Sequence, residues 1–422
     1  MMATEGPFLA AIIARLPDPT VNLAAYGVAF ALAILIEAPV IMLMSASTSL
    51  VRDRVTYLKL RNFARFLGVA TTGLLLAVLI PSVYRWLTGT VLGLPPEVAD
   101  LTYGALWFFL PWPAAIAYRR FLQGVLIRAG KTRLVAWGTL IRLFGMVIAA
   151  LAGFFVLDLP GAWVGGLALG TGVTVEAIAA RFMAASSVRD LLEGKGDLEA
   201  RGRNVTYRDI AKFYFPLALT SFIGLSIQPL LTFFMGRSIA PLESLAVFPV
   251  VHALSFFFRS MGLALQDTAI ALMGERFTHL PELKKFALGL GLATSTGLAL
   301  VAFTPLSRLW FETVSGLTSE LASFALTPTQ VIVPLPFLAV LLSLQRAILV
   351  EGRKTHYITV ASALEVGCVA VLFILLGFRL DLVGATAAFG AFMGARLVSV
   401  SYLLVRCRSV LRDAPAPTPR GA

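Results

Sequence analysis

Twelve apolar stretches follow one another along this chain with only short polar interruptions, and that spacing limits what it can fold into. They lie at about 2–16, 21–50, 63–84, 102–127, 134–156, 162–187, 210–235, 245–273, 286–306, 325–349, 357–377 and 383–405. A bilayer core needs roughly 20 apolar residues per helical crossing, so the first stretch is too short to span and the other eleven are long enough. No soluble core could hide them: hydrophobic residues make up 58% of the 422 and charged residues only 14%, where a soluble domain carries roughly a quarter charged. The bilayer must act as solvent. In hydrocarbon each backbone amide has to bond internally, and these continuous stretches lack the alternation of barrel strands. The sequence therefore predicts an all-α polytopic membrane protein.

A formal net charge of +12 raises the possibility of a nucleic-acid partner. The positions of the basic residues argue against it. Loops after even-numbered stretches hold clusters such as Arg52, Arg54, Lys59 and Arg61, or Arg201, Arg203, Arg208 and Lys212. The opposite loops hold only Arg15, Arg85, Arg237, Arg308 and Arg379. This bias sets membrane orientation and predicts an integral protein of the plasma (inner) membrane with both termini cytoplasmic and lipid, not nucleic acid, around it. Cys368, Cys407 and three scattered histidines give neither a zinc set nor a disulfide framework, so no cofactor or metal is expected.

The chain is internally repeated. A shift of 223 residues aligns Phe63 with Phe286, Gly68 with Gly291, Thr71 with Thr294, Arg85 with Arg308 and Gly93 with Gly316. The same shift aligns Pro111 with Pro334, Pro113 with Pro336, Lys131 with Lys354, Asp158 with Asp381 and Gly161 with Gly384. Two parallel-repeat six-helix bundles follow, a common transporter design with the substrate path between the halves. The expected division is an N-terminal helical lobe at 1–187, a cytoplasmic linker at 188–209, a C-terminal lobe at 210–412 and a disordered Pro- and Ala-rich tail at 413–422. Helix 7 begins near Ile210, while its partner would begin before residue 1, so helix 1 reads as truncated and a start upstream of Met1 is expected.

Ionisable residues at mid-membrane depth are costly, which makes each a functional candidate. Arg259 lies about 14 residues from either end of its stretch, roughly 21 Å along a helix and too far to snorkel. His252, Arg259 and Gln266 share one stripe of that helix. Arg259 can face a central cavity or pair with Glu37 or Glu176. Glu37 sits two residues before Pro39, and Glu5 on helix 1 pairs by the repeat with Gln228 beside Pro229. Either acid could couple a proton or sodium ion, or serve as a buried counter-ion. Arg119, Arg120 and Gln123, with Gln345 and Arg346 at matching depth, either snorkel to the cytoplasmic interface or form a basic funnel. Arg142, Arg181, Asp267, Glu365 and Arg396 read as structural. Counting mid-membrane groups, arginines outnumber acids, which favours anionic cargo.

No phosphate-binding loop, acidic metal–pyrophosphate motif, zinc-ligand helix, nucleophile elbow or glycine-lined filter occurs, which argues against an enzyme, an ATP-driven pump or a potassium-type channel.

Glu5 followed by Leu23–Gly27 (L-A-A-Y-G), Pro39, the R-D-R loop Arg52–Arg54, Phe215–Leu219 (F-P-L-A-L), Pro229, Arg237 and the P-x-P…K-T pattern from Pro334 to Thr355 form a set. Together these stretches resemble the progressive ankylosis proteins. That branch belongs to the superfamily of multidrug and toxic-compound extrusion (MATE) carriers and lipid-linked-oligosaccharide flippases. The resemblance implies a MATE-like two-lobed carrier and, for this branch, export of phosphate-containing or other organic anions. The chain departs from the branch at the front of helix 1 and at Leu225 and Ile227, where further polar residues are usual. The expected function is secondary-active export of a small anionic solute by alternating access. Arg259, His252, Gln228, Arg119, Arg120 and Arg346 would contact substrate, and Glu5 and Glu37 would carry the H+ or Na+ coupling. Cationic drug efflux, a lipid-linked flippase, a non-transport scaffold and the major facilitator fold are the alternatives; Asp53-Arg54 fits the last, but Ser49 and Thr56 stand where its glycines belong.

Overall fold

Proline spacing accounts for the least regular part of the architecture. Pro111 and Pro113, like Pro334 and Pro336, cannot donate backbone hydrogen bonds in mid-stretch, so each stretch must break there. The computed structural model, which describes residues 2–193, 206–273, 277–352 and 354–413, shows that break twice. Helix α6 (Pro96–Phe108) stops and α7 (Trp112–Arg128) begins. In the second half α16 (Ser319–Val331) and α17 (Leu335–Glu351) repeat this, bent by 41°.

Helices form everywhere else that the apolar pattern requires them. The first half contains α1 (Glu5–Ile13), α2 (Pro19–Glu37), α3 (Leu43–Leu50), α4 (Arg54–Val78), α5 (Pro81–Arg85), α8 (Thr132–Phe155), α9 (Gly161–Met183) and α10 (Ala185–Leu192). Then come α11 (Tyr207–Leu225), α12 (Ile227–Met235), α13 (Pro241–Leu272), α14 (Leu280–Phe303), α15 (Leu306–Arg308), α18 (His356–Phe373) and α19 (Gly384–Asp413). Among the described residues there is no β-strand, only one isolated bridge between Ile239 and Val383. Eight helical segments are long and apolar enough to cross a membrane, and two bent pairs bring the number to ten. On α8 the outward side chains are Trp137, Phe144, Ile148 and Phe155, exposed as only lipid would allow. The fold class is that of an all-α integral membrane protein.

Backbone detail repeats along with the helices. Gly93 and Gly316 both take positive φ (65° and 73°), as do Asp158 and Asp381 (47° and 51°). The π-turns Trp86–Val91 and Leu309–Val314 match residue for residue at the 223 shift. Earlier in the chain the register differs by one. Helix α1 aligns with α12 (Glu5 on Ile227, Ile13 on Met235) at a shift of 222. The left-handed caps Asp18 and Ala240 agree, and so do the ring pairs Tyr26–Phe30 and Phe248–His252. This corrects the expected pairing of Glu5 with Gln228: Glu5 matches Ile227, and Gln228 matches Gly6.

The described chain divides into two compact units. One holds Met1–Glu5 with Ile12–Phe233, the other Gly6–Ala11 with Phe234–Ala422. Residues 210–233, placed by sequence in the second lobe, thus cluster with the first unit. There α11 packs on the 3₁₀ turn Ala38–Val40, and the Tyr214 hydroxyl donates to the Pro39 carbonyl. The expected tail from 414 and most of the linker, 194–205, lie outside the described residues.

Small residues set how closely the first unit's helices pack. A Cβ on Gly170 would stand 2.3 Å from the Phe108 carbonyl oxygen, and one on Gly166 would stand 2.8 Å from that of Ala105. Helices α6 and α9 therefore meet backbone to side, a contact that no larger residue permits. Gly170→Ala should lower stability by about 1–3 kcal/mol, while Gly73→Ala, with nothing within reach of its Cβ, should not. Thermal unfolding in detergent checks this, and equal midpoints for the two variants would refute it.

Candidate functional site

In the first unit, four helices bring their charges to one buried network. The Arg119 guanidinium on α7 is paired with Glu176 on α9, the two being 2% and 0% exposed. Gln123, one turn further along α7, donates to the other Glu176 oxygen at 3.1 Å. Arg142 on α8 holds both oxygens of Glu5, with its Nε donating at 3.1 Å, and lies 4.0 Å from Glu176. Taking such charges out of water is tolerable only when each finds a hydrogen-bonded partner, and here both carboxylates do.

Glu37 is held differently. Its carboxylate is 7% exposed and accepts from the Trp112 indole, a neutral donor at the start of α7. Among the described residues no cation lies within 4.0 Å of it. Arg120 is half-buried with Nη1 3.8 Å from the Met44 sulfur and, among the described residues, no carboxylate partner.

The second unit carries a simpler arrangement in which two equivalent positions bear the opposite sign. Arg396 on α19 pairs with Glu365 on α18 at 2.6 Å, its Nε donating at 3.0 Å. Arg259 on α13 is 7% exposed and reaches no carboxylate among the described residues. Its guanidinium lies 3.4 Å from His252 Nε2 and stands over the rings of Phe256 (5.8 Å) and Phe392 (5.4 Å). Its Nε is buried with no acceptor among the described residues. Aromatic faces stabilise a guanidinium by about 0.5–2 kcal/mol each, well short of what losing water costs. Arg346 on α17 is half-buried, and its Nε also lacks an acceptor among the described residues.

The inversion follows the repeat. At the 222 shift that aligns α2 with α13, Glu37 corresponds to Arg259. At the 223 shift that aligns α8 with α18, Arg142 corresponds to Glu365. Two equivalent positions therefore exchange sign between the halves, Glu37 with Arg259 and Arg142 with Glu365, whereas Arg119 and Glu176 match Leu342 and Ser399 and have no charged counterparts. Among the described residues of the second unit, three buried or half-buried guanidiniums (Arg259, Arg346 and Arg396) stand against one buried carboxylate, Glu365.

The candidates divide accordingly. His252 and Arg259 come together, while Arg119 and Glu5 are closed into ion pairs. Gln228 lies on α12 and belongs to the first unit. Arg181, counted at mid-membrane depth, is exposed in the last turn of α9, which corrects that depth. The side chain of Asp267 lies outside the described residues. Sequence reasoning missed Trp112, Phe256 and Phe392. Phe248, His252 and Phe256 recur every four residues, which was a signal for an aromatic row beside Arg259. Nothing local marks Trp112 or Phe392. Among the described residues no cluster of His, Cys, Asp and Glu could hold a metal.

No protein-family model matches the sequence, and no curated protein matches it significantly. Solved structures do match the fold. A multidrug-resistance transporter of the MATE family in the MOP superfamily, in an inward-facing conformation, matches at a TM-score of 0.74 and 15% identity, covering 97% of this chain and 96% of its own. The lipid II flippase MurJ in an inward closed conformation matches at 0.71 and 16% identity, covering 96% of this chain and 85% of its own. A MOP superfamily transporter from Pyrococcus furiosus, described by the reverse polarity of its binding pocket and a different function, matches at 0.64 and 13% identity, covering 97% and 95%. The chain therefore has the fold of these transporters.

Proposed function

We propose that this chain is a secondary-active transporter that exports a small anionic solute, phosphate-containing or an organic acid, by alternating access. One observation carries the reading: Arg259 is a buried guanidinium with aromatic and imidazole neighbours and, among the described residues, no carboxylate. A cargo anion is the natural counter-ion for such a group, because a bare charge at this depth costs far more than ring faces return. Within the second unit His252 and Arg346 would add contacts; Arg120, Gln228 and Arg119 are proposed substrate residues of the first unit, Arg119 through the field it keeps while held by Glu176.

The unpaired acid is the better coupling residue. Glu5 has both oxygens bonded to Arg142, so protonation there would break an ion pair. Glu37 has only an indole donor among the described residues and can take up or release a proton, or hold Na+, without dismantling its surroundings. A multidrug-resistance MATE transporter and a MOP transporter whose pocket polarity is described as reversed share this fold, which supports transport and allows for anionic cargo. Both termini are proposed to be cytoplasmic, in the plasma (inner) membrane, from the loop-charge bias.

The test is uptake into proteoliposomes of pyrophosphate, citrate, ATP and cationic dyes under imposed pH and sodium gradients. An anion should move, and Glu37→Gln should abolish its response to the gradient by at least about tenfold, the effect of losing a charged group's interaction. Movement of dyes alone would transfer the function to cationic drug efflux. The likeness to a lipid II flippase favours a second reading, translocation of a lipid-linked intermediate. Flipping of a fluorescent lipid-linked substrate with no anion uptake would select it.

A further inference from the structure

The repeat makes one asymmetry at the far end of α14 visible. In the first half, Tyr84 and Tyr103 fill the space where α5 meets α6, with ring centroids 4.8 Å apart. The Tyr84 hydroxyl donates to the Ala99 carbonyl at 2.5 Å and that of Tyr103 to the Leu79 carbonyl at 3.0 Å. At the 223 shift Ser307 replaces Tyr84, Leu326 replaces Tyr103 and Ala322 matches Ala99. Both phenol rings are gone, and a groove of about 420 Å³ opens there, lined by Ser307, Ala322 and Leu326 with Arg308, Glu312 and Ser323. That volume falls within the usual range for small-molecule sites, ~300–1,000 Å³.

The lining is chemically specific. Arg308 and Glu312 both border the groove, and among the described residues neither has an ion-pair partner. Their first-half matches are Arg85, whose Nε donates to the Pro81 carbonyl at 3.2 Å, and Gly89. The second half has thus gained a carboxylate where the first has no side chain. Serine hydroxyls and a buried Phe311 complete the surface. Beside it Phe303, Leu306, Leu309 and Val314 are exposed, an apolar border suited to acyl chains.

We propose that this groove binds the zwitterionic headgroup of a phospholipid, its phosphate on Arg308 and the serine hydroxyls and its ammonium on Glu312. A cation and an anion left unpaired in one groove complement a ligand carrying both charges, and the apolar border favours a lipid-borne one. This is independent of the cargo, since the groove lies on α15, the π-turn Leu309–Val314 and α16 and shares no residue with the Arg259 cluster.

The experiment uses the purified full chain in detergent, with phosphatidylethanolamine, phosphatidylglycerol and soluble phosphoethanolamine as probes and thermal midpoint as readout. Phosphatidylethanolamine should stabilise the protein at a concentration at least about tenfold lower than phosphatidylglycerol, the discrimination expected of one charge-assisted contact. Ser307→Tyr with Leu326→Tyr, which restores the first half's filling, should abolish that preference. Arg308→Gln with Glu312→Gln, which leaves the packing alone, should abolish it too. Equal stabilisation by the two lipids, or a preference that survives both variants, overturns the proposal. Soluble phosphoethanolamine acting at the same concentration as the lipid would keep the headgroup chemistry and overturn the lipid source.

Discussion

Arg259→Gln should abolish anion transport, lowering uptake by roughly 10–100-fold, while the protein inserts and purifies normally. The size follows from removing one charge-assisted contact in a site shielded from water. Normal insertion follows because no carboxylate is orphaned: among the described residues the guanidinium touches only His252 and two ring faces. Arg259→Lys should recover little, since a point-charge ammonium cannot present a planar fork to an anion or lie flat on Phe256 and Phe392. Proteoliposome uptake with a matched thermal midpoint provides the measurement. Full transport by the glutamine variant would remove Arg259 from the substrate site.

Glu176→Ala should do the opposite, damaging the fold before the function. Glu176 is fully buried and accepts from Arg119 and Gln123 at once, with Arg142 at 4.0 Å. Its removal strands the Arg119 guanidinium, 2% exposed, and breaking a buried pair from one side costs about 3–5 kcal/mol. For a unit of this size the unfolding midpoint should drop by on the order of 10 °C. Removing both partners is kinder: Arg119→Met with Glu176→Leu should regain at least half of the loss, because Arg142 keeps Glu5. A single variant that melts with the wild type would show that the network contributes nothing to stability.

In the sequence these two arginines differed in depth, Arg259 too deep to snorkel and Arg119 within reach of the cytoplasmic interface, but neither showed its partner. What separates them is a partner 57 positions away in the chain for Arg119 and the absence of any such partner for Arg259 among the described residues. The pairing of Arg142 with Glu5 spans 137 positions, and no local pattern announces it. The repeat could have given more than it did. Pro7 with Pro229, Arg15 with Arg237 and Pro19 with Pro241 already record the 222 register. Read at that register, Glu37 and Arg259 fall on equivalent positions and the charge inversion is legible from residues alone.

Hydropathy and spacing settled by themselves that the chain is helical, lies in a membrane, is duplicated and breaks at its paired prolines. Each of these follows from local chemistry, in which backbone amides have no partner in hydrocarbon and proline has no N–H to give. Tertiary structure alone decided which buried charges are neutralised and which are left available. Neutralisation depends on where side chains from distant helices meet within a few ångströms, and a helical period fixes only the face a residue occupies, not what stands opposite it.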